Sequence, residues 1–174
     1  MVEVGVLTSE DRVELVDGEI LALTPQGSAH ATSVSLVHEA LRAAFGHDDY
    51  VRVQLPLALG SDCEPEPDVA VVTGSVRDYR DAHPQAALLV VEVADTTLAY
   101  DRGIKGSLYA RAGVPEYWLV NLTESVVEVH REPIAASEAR FGWHYRAAGR
   151  FGHGDSMTPL SRPQARIAVA DLLP

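Results

Sequence analysis

The apolar run QAALLVVEVA at residues 85–94 constrains the fold most, because a single carboxylate, Glu92, interrupts it. Side chains alternate along a strand, so Val90, Glu92 and Ala94 should share one sheet face while apolar residues fill the other. Apolar neighbours on both faces predict a strand that is covered on each side. An unpaired ionised carboxylate there would cost several kcal/mol, or a raised pKa would make it neutral. Glu92 therefore needs a partner, which is a cation, a hydrogen-bond donor or a metal.

Two segments have the periodicity of helices, and the rest of the chain has the pattern of strands and turns. Apolar residues recur every three or four positions over 28–45, where Ser28 can cap the start and Gly46 can end the helix, and again over 101–113. No repeat or linker divides the 174 residues, which predicts a single domain over residues 1–174. These elements predict an α/β fold with a mixed central sheet flanked by helices. The predicted strands are 14–23 (a hairpin around Asp17-Gly18), 50–59, 68–74, 85–94, 116–122 and 125–132, with further short strands in the tail.

Charge and composition limit the classes of function. The formal net charge is -11, from 25 acidic and 14 basic residues, which argues against broad non-specific attraction to nucleic acid but leaves room for a local basic groove. Part of the acidic excess can also be metal ligands. Cys63 is the only cysteine, and no apolar run approaches the roughly 20 residues of a membrane helix. We therefore expect a cytoplasmic protein with no disulfide in the monomer, no secretory signal and no membrane association.

Three residues on successive predicted elements form a candidate catalytic site. Asp68 stands where a proline-rich loop enters a strand, Glu92 lies in the next apolar strand, and Lys105 lies in the helix that follows. Each alone has a structural interpretation: a turn aspartate, a glutamate paired with Arg102 or Lys105, and a solvated helix lysine. Together, two carboxylates offer hard oxygen ligands to Mg²⁺ or Mn²⁺, and a lysine can position or deprotonate the attacking water and offset charge on the phosphate. This order predicts metal-dependent phosphodiester hydrolysis.

A recognisable pattern runs through most of the chain. It consists of six segments: ELVDGEI, TPQGSAH, EPDVAVV, LLVVEVADTT, YDRGIKGSLYARAGVPEYWLVN and VADLLP. With these segments the chain, from about Glu14 to Leu173, resembles the Uma-type restriction endonuclease family, whose members have the PD-(D/E)XK nuclease fold. The resemblance implies a restriction-endonuclease-like core with a mixed central sheet flanked by helices, and a divalent metal at the site.

Matched position by position, the resemblance assigns metal binding to Asp68 and Glu92. Asp68 is the aspartate of the PD half of the motif, and Glu92 is the acidic residue of its second half. Ala94 stands where the standard motif has lysine. The family-like D-x-x-x-K start of the next helix, formed here by Asp101 and Lys105, supplies the catalytic lysine instead.

Glu14 and His30 match further recurrent residues of that family, and the resemblance gives them supporting catalytic roles. A solvent-facing strand residue is an equally good interpretation of Glu14, and a packing histidine of His30. We favour structural roles for Gln54 and for the aromatic pair Tyr117-Trp118.

The predicted function is a Mg²⁺- or Mn²⁺-dependent endonuclease that hydrolyses DNA. We expect a homodimer, because cutting both strands of a duplex calls for two sites related by two-fold symmetry. The alternative is a catalytically weak or inactive nuclease fold that serves as a binding or regulatory module, which the acidic net charge favours. A third class is a hydrolase of another phosphate ester.

Overall fold

The computed structural model describes residues 13–22 and 26–174. Its first element is a hairpin of β1 (Val13–Val16) and β2 (Glu19–Ala22), which forms its own two-stranded antiparallel sheet. The predicted turn at Asp17 and Gly18 is present, and both residues have positive φ, 51° and 80°. Leu23, the last residue of the predicted hairpin, lies outside the described residues. A bridge between Leu15 and Glu64 ties the hairpin to the loop that leads into the central sheet.

The predicted mixed sheet is confirmed, with six strands in the order β3-β4-β5-β6-β7-β8. Only β5 and β6 pair in parallel, and the other neighbours are antiparallel. The predicted strand 50–59 is wrong beyond residue 53, because Gln54 has a φ of 49° and turns the chain away from the sheet. The six strands are β3 Asp49–Val53, β4 Val69–Thr73, β5 Leu89–Ala94, β6 Glu116–Asn121, β7 Val126–Ala135 and β8 Trp143–Gly152.

Helix α1 (Ser28–Phe45) packs on one face of this sheet and has the predicted bounds. Gly46, with a φ of 67°, ends it as predicted. The prediction of Ser28 as the cap is wrong, because Gly27 holds the N-cap position and no side chain caps the first turn. Its inward stripe is buried as predicted, and consists of Val34, Val37, Leu41 and Phe45.

The helical segment between β5 and β6 has an irregular start. It consists of α2 (Leu98–Tyr100), one π-helical turn (Asp101–Lys105) and α3 (Gly106–Arg111), so it begins three residues before the predicted helix and ends two residues earlier. A π turn widens the helix by one residue and is frequent at functional sites. No helix in the described part of the chain is long and apolar enough to cross a membrane.

The C-terminal segment closes the α1 side of the core. β9 (Ser156–Met157) and β10 (Ile167–Ala168) form a short antiparallel pair, followed by a 3₁₀ turn, Val169–Asp171. The hydroxyl of Ser33 in α1 donates to the carbonyl of Leu172 at 2.7 Å, which fixes the end of the chain against the helix. The opposite face of the sheet carries a second apolar cluster that includes Val90, Ala94, Tyr109 and Tyr117, so β5 is covered on both faces as predicted.

Candidate active site

The structure brings Asp68 and Glu92 together on neighbouring strands. Asp68 directly precedes β4, whose Val69 pairs with Val91 of β5, so the two carboxylates lie side by side. The Asp68 amide donates to Glu92 Oε2 at 3.4 Å, and the Val93 amide donates to Asp68 Oδ2 at 2.9 Å. The Asp68 carboxylate is thus anchored to the backbone of the strand that carries Glu92.

Lys105 faces the same two strands from the π turn. Its Nζ lies 3.0 Å from Glu92 Oε1 and 3.6 Å from Glu14 Oε2, and the lysine is only 7% exposed. Arg102, the other cation considered as a partner of Glu92, instead forms a bidentate pair with Glu128. The buried glutamate therefore has its cation in Lys105.

Tyr109 completes the surroundings of Glu92 and was missed by the sequence reasoning. Its hydroxyl donates to Glu92 Oε1 at 2.6 Å, and the side chain is fully buried. Glu92 Oε1 thus accepts two short hydrogen bonds, while Oε2 faces Asp68 with only a long contact to the Asp68 amide. The available signal was spacing, because Tyr109 follows Lys105 by four residues and so lies on the same helix face.

Glu14 and His30 also reach this cluster. Glu14 is 4% exposed, so it does not face solvent, and its Oε2 accepts the Glu66 amide at 3.3 Å. His30 Nε2 lies 3.0 Å from Asp68 Oδ1, and the Gln54 side-chain amide donates to the same oxygen at 3.3 Å. All five residues predicted for the site are therefore neighbours, and Gln54, which we assigned a structural role, contacts one of them.

These side chains line a cleft of about 490 Å³, which we call the acidic cleft. The N-terminal end of α1, the β1–β2 hairpin and the π turn contribute to its walls. Lys105 and His30 are the basic side chains among its lining residues. Among the residues that the structure describes, six carboxyl groups line it: Glu14, Glu66, Asp68, Glu92, Asp95 and Asp101.

Burial and mutual repulsion perturb the charges in the acidic cleft. Burial raises the pKa of Glu92 to about 8, against the opposing effect of the Lys105 ammonium. Burial alone would lower the pKa of Lys105. The negative charges of Glu92, Glu14 and Asp101 raise it by more than burial lowers it, so the net shift is upward. Lys105 is therefore an ammonium at neutral pH, and it donates hydrogen bonds rather than accepting a proton.

The pKa values of Asp68 and Asp101 shift in opposite directions. Burial raises the pKa of Asp68, but the hydrogen bond and charge of His30 and the Val93 amide outweigh it, so the net pKa is lowered. Burial raises the pKa of Asp101, although its carboxylate accepts a hydrogen bond from the Thr97 hydroxyl. Asp68 is thus held as a carboxylate, which is the form that binds a cation.

The donor set fits a hard divalent cation. Within residues 13–22 and 26–174, no group of three or more His, Cys, Asp or Glu side chains is arranged to hold a metal. Mg²⁺ does not need such a group, because it usually binds one or two carboxylates and completes its octahedron with waters and substrate phosphates. Asp68 and Glu92 supply two adjacent carboxylates, and the excess of acidic groups in the cleft leaves negative charge for a cation to balance.

Comparisons with known proteins identify the family and the fold of the chain. The family model Uma2, described as "Putative restriction endonuclease", matches residues 3–169. Among solved structures, the crystal structure of a "putative nuclease belonging to DUF820" from Anabaena variabilis superposes with a TM-score of 0.68 at 17% identity, and the match covers 98% of this chain and 94% of that one. At that identity the likeness shows a shared fold. No curated protein matches the chain in sequence.

Proposed function

The chain belongs to the Uma2 family of "Putative restriction endonuclease" proteins, and from that premise we propose that it is a divalent-metal-dependent endonuclease that hydrolyses DNA phosphodiester bonds. The observation that carries the proposal is the convergence of Asp68, Glu92 and Lys105 in one cleft. Glu92 links the three, because its carboxylate accepts hydrogen bonds from the Lys105 ammonium at 3.0 Å and the Asp68 backbone amide at 3.4 Å. Two carboxylates to hold a metal ion and one nearby cation suit phosphodiester hydrolysis.

Asp68 and Glu92 would hold Mg²⁺ or Mn²⁺. When bound, such an ion polarises the phosphate and lowers the pKa of a coordinated water. Glu92 Oε2 and Asp68 Oδ2 are the oxygens with the fewest hydrogen-bond donors, since Glu92 Oε1 is occupied by Lys105 and Tyr109 and Asp68 Oδ1 by His30 and Gln54.

Lys105 would stabilise the charge that develops on the phosphate oxygens. A buried ammonium in a low-dielectric cleft is more effective than one in water, because less solvent screens it. The raised pKa of Lys105 supports this electrostatic role over that of a general base.

His30 and Glu14 would support the three central residues. The hydrogen bond to Asp68 raises the pKa of His30, so the pair has the character of an imidazolium next to a carboxylate. Glu14 shares the charge of Lys105 with Glu92. His30 would act through Asp68, which binds the metal, and Glu14 through Lys105, which contacts the phosphate.

A binding module without cleavage is the second candidate, and the charge of the acidic cleft favours it. Six carboxyl groups repel phosphate unless a cation neutralises them. If the protein bound no metal, phosphate could not approach Lys105 and the cleft could not cleave DNA. The first candidate, the nuclease, would act as a homodimer on duplex DNA in the cytoplasm.

Plasmid cleavage in Mg²⁺, Mn²⁺ or EDTA separates these candidates. We expect nicking or linearisation only with metal, and a loss of at least about 10²-fold in Asp68→Ala, since removing even a residue that supports a ligand costs 10- to 100-fold. Lys105→Ala should also lose activity, while Asp81→Ala, a change at an exposed surface aspartate, should not.

Three results would change the proposal. Cleavage that survives both Asp68→Ala and Lys105→Ala would show that the acidic cleft is not the catalytic site. No cleavage together with a calorimetrically silent metal titration would favour the binding module. Activity on nucleotides but not on plasmid would indicate a hydrolase of another phosphate ester.

A further inference from the structure

A second cavity lies against the same π turn and contains none of the residues proposed for catalysis. It measures about 400 Å³ and lies between the helical segment 98–111 and the hairpin of β7 and β8. Asp101 and Lys105 of the π turn line the acidic cleft, whereas Arg102, Gly103 and Ile104 line this cavity. We call it the aromatic groove.

Flat rings stacked across three neighbouring strands form its floor. Tyr117 lies 5.7 Å from His130 and 6.1 Å from Tyr145 between ring centroids, with interplanar angles of 26° and 23°. Tyr117 is fully buried, whereas His130 and Tyr145 are partly exposed. Trp143 stands in the lining with 36% of its surface exposed, which is unusual for a large aromatic side chain in a fold whose other tryptophan, Trp118, is fully buried.

The lining of the aromatic groove is less acidic than the chain as a whole. Among the described residues it includes the guanidinium groups of Arg102 and Arg140 and one carboxylate, that of Glu138. Arg102 is paired with Glu128 and yet remains 45% exposed, so its outer face can meet a ligand. In a chain of net charge -11, this combination of cations and rings suits an aromatic ligand that carries negative charge.

His130 has a weakly paired polar atom in the floor. Its Nε2 is buried and makes no hydrogen bond within the described part of the chain, and the Glu128 carboxylate approaches it to 3.6 Å. Burial lowers the pKa of His130, so the ring is neutral at neutral pH and can serve as donor or acceptor, depending on its tautomer. This nitrogen therefore has capacity for a hydrogen bond to a ligand or water.

We propose that the aromatic groove binds a nucleobase, which stacks on Trp143 and Tyr145 while its phosphate meets Arg140 or Arg102. The choice of a nucleotide as the ligand rests on the proposed nuclease function. Stacking of bases on aromatic side chains tolerates any sequence, because every base has a flat face. An unpaired base of the substrate strand and a free nucleotide share this chemistry.

Tryptophan emission of the full chain tests the inference, because Trp118 is buried and Trp143 is exposed. In EDTA, where metal-dependent cleavage is absent, oligothymidylate should quench the emission, and an abasic strand with the same number of phosphates should not. Thymidine monophosphate in a parallel titration identifies the source: quenching at similar concentrations indicates a free nucleotide, and quenching only by the strand indicates a substrate base.

Variants in the lining separate stacking from charge. In anisotropy titrations with a labelled oligothymidylate, Trp143→Ala should weaken binding about 5- to 150-fold, which corresponds to the loss of one stacked base. Arg140→Ala should weaken the binding of both strands but preserve the preference for the strand with bases. Val76→Ala, an exposed apolar residue outside both cavities, should bind like the parent protein.

Equal binding of the abasic strand, or full affinity in Trp143→Ala, would overturn the inference. Asp68→Ala distinguishes this failure from a failure of the proposed function, since it should abolish cleavage and keep base-dependent quenching. Cleavage without base-dependent binding would contradict only the proposed nucleobase site. Base-dependent binding without cleavage in the parent protein would contradict only the proposed nuclease function.

Discussion

The acidic cleft and the aromatic groove share the π turn Asp101–Lys105 as a wall, yet they have opposite charge and different chemistry. Six carboxyl groups and one lysine line the cleft, whereas two arginines, one glutamate and a stack of rings line the groove. The net charge of -11 therefore does not describe every surface of this chain. Part of the acidic excess lies in the cleft, where a metal could neutralise it, and two arginines line the groove next to it.

Replacing one cation at each cavity should show the largest contrast. Lys105→Met removes the ammonium that lies between Glu92 and Glu14, so we expect the free energy of unfolding in EDTA to fall by about 3–5 kcal/mol at pH 9, above the Glu92 pKa of about 8. Arg102→Met removes a guanidinium that is 45% exposed and should cost less, because solvent screens its pair with Glu128. Urea denaturation of both variants at pH 9 measures the two values, and equal losses would contradict the contrast.

Removing one tyrosine hydroxyl beside each cavity tests which cavity holds metal. Tyr109→Phe deletes the 2.6 Å hydrogen bond to Glu92 and should lower Mn²⁺ affinity about 10- to 100-fold, as the loss of a residue that orients a ligand does. Tyr145→Phe deletes a hydrogen bond of similar length, 2.9 Å, to the Val114 carbonyl on the groove side. Isothermal titration calorimetry should find its Mn²⁺ affinity unchanged. The same loss in both variants would mean that the hydroxyls act only on stability.

Protonation should affect the acidic cleft and spare the groove. Burial raises the pKa of Glu92 from 4.5 to about 8, so below pH 8 a metal must displace a proton from it. Mn²⁺ affinity should then rise by up to about tenfold per pH unit from pH 6 to 8 and level off above. The raised pKa also means that Glu92 stabilises the metal-free fold at low pH and loses that contribution as the pH rises towards 8.

The groove provides the control for this pH dependence. Base-dependent quenching of Trp143 should stay constant from pH 7 to 9, because the arginines remain charged throughout this range. Mn²⁺ affinity that is flat from pH 6 to 8 would show that Glu92 is already ionised without metal.

The smallest expected effect is a shift in the titration of two histidines. The hydrogen bond to Asp68 raises the pKa of His30 above 6.5, whereas burial lowers that of His130 below it. The His30 contribution to stability is therefore complete below pH 6.5 and disappears as the pH rises through the folded-state pKa. NMR titration should show both shifts, and Asp68→Asn should lower the pKa of His30 alone. An unchanged His30 pKa in that variant would show that Asp68 does not hold His30 in its charged form.

The parts of the site that the sequence predicted are those in which burial forces a partner. Glu92 within an apolar strand demanded a cation, and the helix that follows β5 offered Lys105 at a distance that the crossover can span. The stripe of α1 and the mixed sheet followed from periodicity in the same way. Asp68 was located by its position at a strand entrance next to the strand of Glu92.

Other features depend on contacts that no local pattern encodes. Tyr109 looks like an ordinary core residue of an amphipathic helix until its hydroxyl is placed against Glu92. The π turn depends on backbone hydrogen bonding, which side-chain periodicity does not specify. The aromatic groove joins residues from 102 to 145 through the pairing of β6, β7 and β8, and β8 itself has a weak pattern because many of its residues are exposed.

The most direct test of the central claim is anomalous diffraction from a crystal of the protein with Mn²⁺. The account predicts a single strong peak coordinated by the carboxylates of Asp68 and Glu92, with the Lys105 ammonium beside Glu92 and no peak in the aromatic groove. A peak elsewhere, or none in a crystal where Asp68 and Glu92 keep their contacts to Val93 and Lys105, would contradict it.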